Sequence, residues 1–598
     1  MNRRIKMALA GAAVAGSLFA NPLSAAIKPG DYLNGQWATV PDGSRGITFT
    51  YIPNADGTGD LFGAVFSYDQ AGDDAWVVFQ VGFLEHQFES TGDIFAVQGG
   101  TFDNPPVPTT AADIGDATVT LNSCGSLEVA FDFADSAEFN DVTWDMQPLT
   151  TAVGGDVAQC AYEQEFAGCP SFATDTGFGL RECLVSGQFL DQEITLTNDT
   201  TWILDGLLEI GAPNTNSAVL NIEPGTVITS LPNTNNAFIF VHAGSEIFAD
   251  GLPYAPIVIT SAFDGFPDSP RAPQPGDTGG LAVAGLAPCN SAPGVELGCF
   301  SEFASGDQVL SYGGNDPADS SGSVSYFQIR YGGIVVGSDQ EVNSFTFLGA
   351  GNGTNISHIQ AYNSLDDGIE FFGGTANMRY GVFTDGADDS LDWDEGWSGK
   401  AQWGLIVIND EQGAGAGFEG ANNGDAFDAS PRATPIISNF TVVSQIAHDD
   451  DAFQLKEGSG GQIWNSIAVG YGGSCVNLRD QATLDAAGSP EAPTGALAFA
   501  GTIVNGCGSL FQSDSTPGFA ESFFNSSAFP NNLTVDPMLG TDLMPMPGSP
   551  ALGNGVRVFD LATGEPIEFF DFQRHSGAFD GKTNWTDGWT FDPYGTAR

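Results

Sequence analysis

Alternation of apolar and polar positions, cut into short runs by Gly, Asp and Asn, is the dominant pattern of this 598-residue chain. It is clearest over residues 27–155, in Gly46-Ile-Thr-Phe-Thr-Tyr51, Leu61-Phe-Gly-Ala-Val-Phe-Ser-Tyr68 and Ala75-Trp-Val-Val-Phe79, which Asp/Gly turns separate. Period-two patterning with tight turns predicts a small antiparallel β-domain there, a barrel or sandwich. Trp37 and Trp76 fall on these runs and are read as core rings rather than as a ligand face.

Beyond residue 155 the alternation becomes repetitive. Leu220-Asn-Ile222-Glu-Pro-Gly225-Thr-Val-Ile228 is echoed by Phe240-Val241-His-Ala-Gly244-Ser-Glu-Ile247, with equivalent positions 19 residues apart. One coil of a β-solenoid accounts for this spacing. Further on, Asp366-Asp367-Gly-Ile-Glu370-Phe371 recurs 22 residues later as Asp388-Asp389-Ser-Leu-Asp392-Trp393, then as Asp449-Asp450-Asp451-Ala-Phe453-Gln-Leu455 and, degenerately, as Gly417-Phe418-Glu419-Gly420. Alternation puts Ile369 and Phe371, or Leu391 and Trp393, on one face and Glu370 or Asp392 on the other. Coils about 4.8 Å apart would align these acids into a column. The fold class expected is all-β: an N-terminal antiparallel β-barrel or sandwich over 27–155, a connector and cap over 156–200, a right-handed parallel β-helix over 201–545, and a C-terminal cap over 546–598.

The ends and the composition add location. Arg3, Arg4 and Lys6, the apolar run 7–20 and then Ser24, Ala25 and Ala26 read as a signal peptide over 1–26. No Cys stands at the cleavage point and no later stretch is apolar enough to span a bilayer, so a secreted or outer-surface product is expected. The net charge of −57, from 74 acidic against 17 basic residues, disfavours nucleic acid as a partner and makes divalent cations or a saline medium natural companions, with simple acidic solubility as the plainer alternative. Eight cysteines, paired in sequence order as Cys124–Cys160, Cys169–Cys183, Cys289–Cys299 and Cys475–Cys507, are expected as structural disulfides; no Cys-x-x-Cys spacing suggests a metal cluster.

Several motifs carry a resemblance. Gly35-x-Trp37, the 61–68 run and Asp69-x-x-Gly72 with Trp76 resemble a small β-domain that recurs in exported Gram-negative proteins. Leu220-x-Ile-x-Pro-Gly-Thr-x-Ile228, Pro256-Ile-Val-Ile-Thr-Ser261, Asp366-Asp-Gly-Ile-Glu-Phe-Phe-Gly-Gly-Thr375, Asp388-Asp-Ser-x-Asp-Trp-Asp-Glu-Gly-Trp397 and Trp585-x-x-Gly-Trp589 are similar to a family of large exported bacterial parallel β-helix proteins. The likeness spans about residues 160–598 and implies a fold and a location, not an activity.

The candidate chemistry lies in the acidic repeats. Asp366, Asp367, Glu370, Asp388, Asp389, Asp392, Asp394 and Glu395 offer the hard oxygen ligands calcium prefers; the plainer alternative is a ladder in which each Asp caps backbone amides of the next coil. Gly386-Ala-Asp388-Asp389 also resembles the Gly-x-Asp-Asp piece of polygalacturonase-type hydrolases, although that signature's Asn-Thr-Asp, Gly-His-Gly and Arg-Ile-Lys pieces are missing. A lyase would need calcium and a basic side chain, for which Arg379, Lys400, Lys456 and Arg479 are near in sequence; the plainer role for these four is to balance the local acid column. If the chain is an enzyme, Asp388, Asp389, Lys400 and Arg379 are the catalytic candidates. His358 and His448 neighbour the same coils. Trp397, after Glu395-Gly396 in a turn, is the candidate sugar contact, whereas Trp393 is expected in the core with Leu391. Two readings follow: a calcium-stabilised extracellular binding or adhesion protein contacting glycans or cell-surface components, and a carbohydrate-active enzyme, either lyase or glycoside hydrolase. The Gly- and Asp-rich insert 409–434 is either a roof over such a site or ordinary length variation.

Overall fold

The computed structural model describes residues 33–39, 45–53, 59–68, 74–83, 89–97, 111–123, 126–133, 139–148, 169–176 and most of 182–595. The leader, Cys124, Cys160 and the side chain of Trp76 lie outside the described residues. The chain divides into two compact units, 1–168 and 169–598.

In the first unit eight antiparallel strands, from Gly35–Thr39 to Val142–Pro148, pair with their neighbours, and the first closes on the last through Trp37 and Pro148. Alternate residues Ile47, Phe49, Val77, Phe79, Val129, Phe131 and Met146 point inward and are buried. An eight-stranded barrel has room for little but side chains. Edge-to-face rings fill this one, with Phe49 6.2 Å from Trp37 and 6.0 Å from Phe79. Gly63 exists to admit that packing, because a Cβ there would lie 2.3 Å from the Phe79 ring. Trp37 is core, with its indole N–H donated to the Leu33 carbonyl.

The second unit is a parallel β-helix. Its ladder starts at Glu182–Phe189, paired with Thr201–Ile210, so coiling begins inside the segment expected as connector and cap. Residues 169–176 cover that first coil: Cys169 is bonded to Cys183, and Phe172 stacks on Trp202 at 5.8 Å. Cys289–Cys299 and Cys475–Cys507 are also bonded.

The 22-residue repeat is a true coil, since Ile369 pairs with Leu391 and Met378 with Ile356. The 19-residue echo is not. Leu220 pairs with Ile247, and Ile228 with Ile259, so these coils are longer than the echo. The two echoed segments are different corners of the helix, one joining Val219–Ile222 to Val227–Ser230 and the other joining Ile239–Val241 to Glu246–Asp250 of the next coil. Each has a turn closed by a left-handed glycine, Gly225 (φ 82°) and Gly244 (φ 87°), and a shared turn gives a shared pattern.

Between Gly322–Arg330 and Ile436–Ser444 each long strand bends at one left-handed residue: Tyr326, His358, Tyr380, Trp403 and Asn439. Because the bends stack, so do the rings, at 4.3 Å (Tyr326–His358), 4.4 Å (His358–Tyr380) and 4.7 Å (Tyr380–Trp403). His358 is thus a column ring, and burial pushes its pKa down to about 4.

The coils end at Ser509–Ser513. A short helix, Phe519–Phe524, packs Phe524 on Phe499 and Phe511 there. Residues 546–595, expected as the cap, instead run back along the side of the coils. Side-chain amides hold this return tail by its backbone. Gln360 accepts from the Phe591 N–H and donates to its carbonyl, Gln402 does the same with Asp571, and Asn465 with Val556. Trp585 and Trp589 cover the ring column.

Candidate metal centre

One corner of each coil leads into a short strand whose residues alternate between core and groove. Phe345, Ile369, Leu391, Phe418 and Phe453 stack inward, while Thr346, Glu370, Asp392, Glu419, Gln454 and Asn477 follow one another in register on the opposite face. The degenerate copy at Phe418–Gly420 is therefore a genuine rung, and the insert 409–434 contains a coil strand. Gly420 is required there, because a Cβ would lie 2.2 Å from Trp393.

The paired aspartates precede these strands. The Asp389 N–H donates to Asp367 Oδ1 (3.0 Å), the Ala416 N–H to Asp389 Oδ1, and the Ser474 N–H to Asp451 Oδ1 (2.5 Å). The capping ladder is thus real. These bonds occupy one oxygen of each carboxylate, the Asn477 amide takes the second oxygen of Asp451 (2.7 Å), and the same residues line a cavity of about 410 Å³ with nine carboxylate side chains: Asp366, Asp367, Asp388, Asp389, Asp392, Glu419, Asp450, Asp451 and Glu341. Within this region three sets each bring carboxylate oxygens within 4.8 Å of one another: Asp366/Asp367/Asp388, Asp367/Glu370/Asp392 and Asp389/Asp392/Glu419.

Such crowding opposes ionisation. Burial first, then Glu341 and Asp388, push the Asp366 carboxyl up to about 7. Asp367, Asp389 and Asp392 are held well above the usual carboxylate range by burial and then by neighbouring acids, and Asp388 is raised for the same reasons. Among the described residues two cationic side chains reach this groove: Lys456, whose ammonium pairs with Glu419, and Arg479, which donates to the Gln454 side-chain carbonyl (3.1 Å) and pairs with Asp514. Burial opposes the charge of Lys456, but Glu419, Asp392 and Glu457 together raise its pKa.

Not every residue singled out in the sequence is here. Asp394 follows Asp392 on the same strand but lies outside the three sets, and burial lifts it to about 7. Glu395 takes a left-handed turn (φ 51°) and accepts hydrogen bonds from the Ser291 and Tyr312 hydroxyls, away from the cavity lining. Arg379 belongs to the tail: it pairs with Asp571 (2.8 Å), donates to the Phe569 carbonyl and stacks on Trp403 and Phe569. Lys400 begins the following strand, outside the cavity lining, and burial lowers its pKa. Trp397 is not a sugar contact. It is fully buried, stacked on Phe371 at 4.1 Å, with its N–H donated to the Ala376 carbonyl, because the turn folds the ring inward. His448 sits beside Asp450, with its Nδ1 3.5 Å from the carboxylate.

Sequence reasoning missed Glu341. It sits in a hairpin, Ile334–Gly337 with Gln340–Val342, that interrupts the repeat and carries no copy of the acidic motif. Lys456 was signalled by its place just after the copy ending at Leu455.

Comparison with known proteins gives one family: a model described as a pectate-lyase-like beta helix domain matches residues 187–512. No curated protein and no solved structure matches the chain.

Proposed function

Because the chain belongs to the pectate-lyase-like β-helix family, we propose that it is an extracellular carbohydrate-binding protein whose carboxylate cavity holds calcium and, through it, an anionic polysaccharide. The observation that carries this reading is the overlap of three carboxylate sets at one cavity, which all their members but Glu370 line. Its donors are hard oxygens, which is the chemistry calcium takes. Asp366, Asp367, Glu370, Asp388, Asp389 and Asp392 would hold the ion, which would neutralise the acids and attract carboxylates of a uronate chain.

The chain's own residues do the positioning. Backbone N–H groups of the next coil fix one oxygen of Asp367 and of Asp389. The inward column beneath prevents the strands from moving apart to relieve repulsion. Disulfides fit an oxidising compartment, and among the described residues no helix is long and apolar enough to cross a membrane.

The second reading, a lyase or glycoside hydrolase, is favoured by one grouping: carboxyls whose pKa burial and neighbouring acids raise, Asp366 to about 7, line one cavity with other carboxylates, so a proton donor and an acceptor can face one another there. A single experiment separates the readings. The mature protein is passed over immobilised polygalacturonate and alginate with calcium or chelator, while soluble substrate is followed for unsaturated or reducing-end products. Calcium-dependent retention without product supports the binding reading. Product formation lost in Asp389→Asn or Lys456→Ala would replace it with the enzyme, and retention indifferent to chelator would refute the cation's role.

A further inference from the structure

The three carboxylate sets are not equivalent, and the difference lies in what already occupies them. In the set Asp389/Asp392/Glu419, both oxygens of Glu419 are engaged, one by the Lys456 ammonium and the other by the Gln454 side-chain amide. Lys456 acts electrostatically on Asp392 and Asp388 as well, but Glu419 is the carboxylate it pairs with directly. This set carries its own cation.

The other two sets differ in lacking such a pair, although Glu370 accepts a hydrogen bond from the Asn343 side-chain amide (2.7 Å). Among the described residues no ion pair joins a basic side chain to Asp366, Asp367 or Asp388. Beside them lies a second, independent sign. Thr346 is in register with Glu370 on the groove face, is fully buried, and its hydroxyl has no hydrogen-bond partner. A buried hydroxyl left unsatisfied costs free energy, and a ligand or its bound water at this end would remove that cost. Asp367 belongs to both of these sets, and its second oxygen is not used by the capping bond from Asp389.

Resting on the cation reading above, we propose that the cavity takes two calcium ions, bridged by Asp367 across adjacent coils, and that Lys456 stands in the place of a third. A shared carboxylate between two ions offsets their mutual repulsion. The lysine therefore sets the ion count, and its removal creates a site rather than destroying one.

The test is calcium equilibrium dialysis on the full mature chain at pH 8, with calorimetric titration alongside. The wild type takes up two equivalents. Lys456→Gln takes up three, and Glu419→Gln combined with Lys456→Gln, which restores the cavity charge, returns to two. Asp367→Asn falls to one or none. Thr346→Val keeps its folding in chelator but loses affinity for one equivalent by about tenfold. One equivalent in the wild type, three with Lys456 intact, or an unchanged count in Lys456→Gln overturns the pairing while leaving the cation reading in place. No uptake by the wild type overturns the cation reading itself. The melting temperature of Lys456→Gln in chelator checks that the added equivalent belongs to the folded chain.

Discussion

The carboxyl of Asp366 sets a testable pH dependence in the metal-free protein. In the folded chain it titrates at about 7, against an ordinary 3.8. At a pH above both values, ionising it in place costs up to about 4 kcal/mol relative to the unfolded chain. Between about pH 4 and pH 7 the folded state binds more protons at this residue than the unfolded state, so stability falls as pH rises through that window and levels off above it. Unfolding entropy of about 2.1 cal/mol/K per residue over the roughly 430 residues of the second unit gives about 0.9 kcal/mol/K, so 4 kcal/mol corresponds to about 4–5 °C in Tm. Asp366→Asn removes the ionisation cost. In chelator at pH 8 the variant should melt higher than wild type by up to that amount, and near pH 4 the two should nearly coincide. With saturating calcium the order reverses, because the variant has lost a ligand. Calorimetry of both proteins at pH 4.5, 6 and 8, with chelator and with calcium, checks all of this. If metal-free stability rises from pH 4.5 to 8, or if Asp366→Asn melts lower than wild type in chelator at pH 8, the account of the cavity as mutually repelling buried acids is refuted.

Three further outcomes follow from the packing. Trp397→Ala empties a fully buried stack on Phe371 and should cost about 3–5 kcal/mol in denaturant unfolding, without changing polysaccharide retention at a temperature where the variant is folded. Gln360→Leu leaves the Phe591 N–H and carbonyl without their amide partner, lowering stability by about 1–3 kcal/mol and making the tail easier to cleave in limited proteolysis. Removing the Cys475–Cys507 bond, which closes a 32-residue separation, should cost about 3–4 kcal/mol, read as a lower denaturation midpoint with unchanged calcium stoichiometry.

The fold was legible because its signals are local. Alternation along Ile47, Phe49 and Tyr51 marked a barrel strand, and the 22-residue recurrence of the Asp-Asp motif gave the register of Ile369 on Leu391. The 19-residue echo misled because a coil has several similar corners, and a sequence shows that corners repeat without showing which ones stack. The acidic column was legible for the same reason as the register. Trp397 was not, because whether a turn residue points in or out depends on Phe371 and Ala376, a coil away. Arg379 and Lys400 were drawn in by nearness along the chain, whereas Arg379 answers to Asp571, 192 residues later.

The return tail changes how such an array behaves as a folding unit. Coils that touch only their neighbours can assemble one by one as a chain is made and can fray from either end. Here Gln328 is tied to the Trp589 carbonyl across 261 residues, and Gln360 to Phe591 across 231. These contacts raise the contact order of a fold that would otherwise be mostly local, and they slow its completion. The middle coils cannot be sealed until the last fifty or so residues have been made. A chain interrupted late in synthesis keeps its ring column uncovered, a ready signal to proteases that the molecule is unfinished.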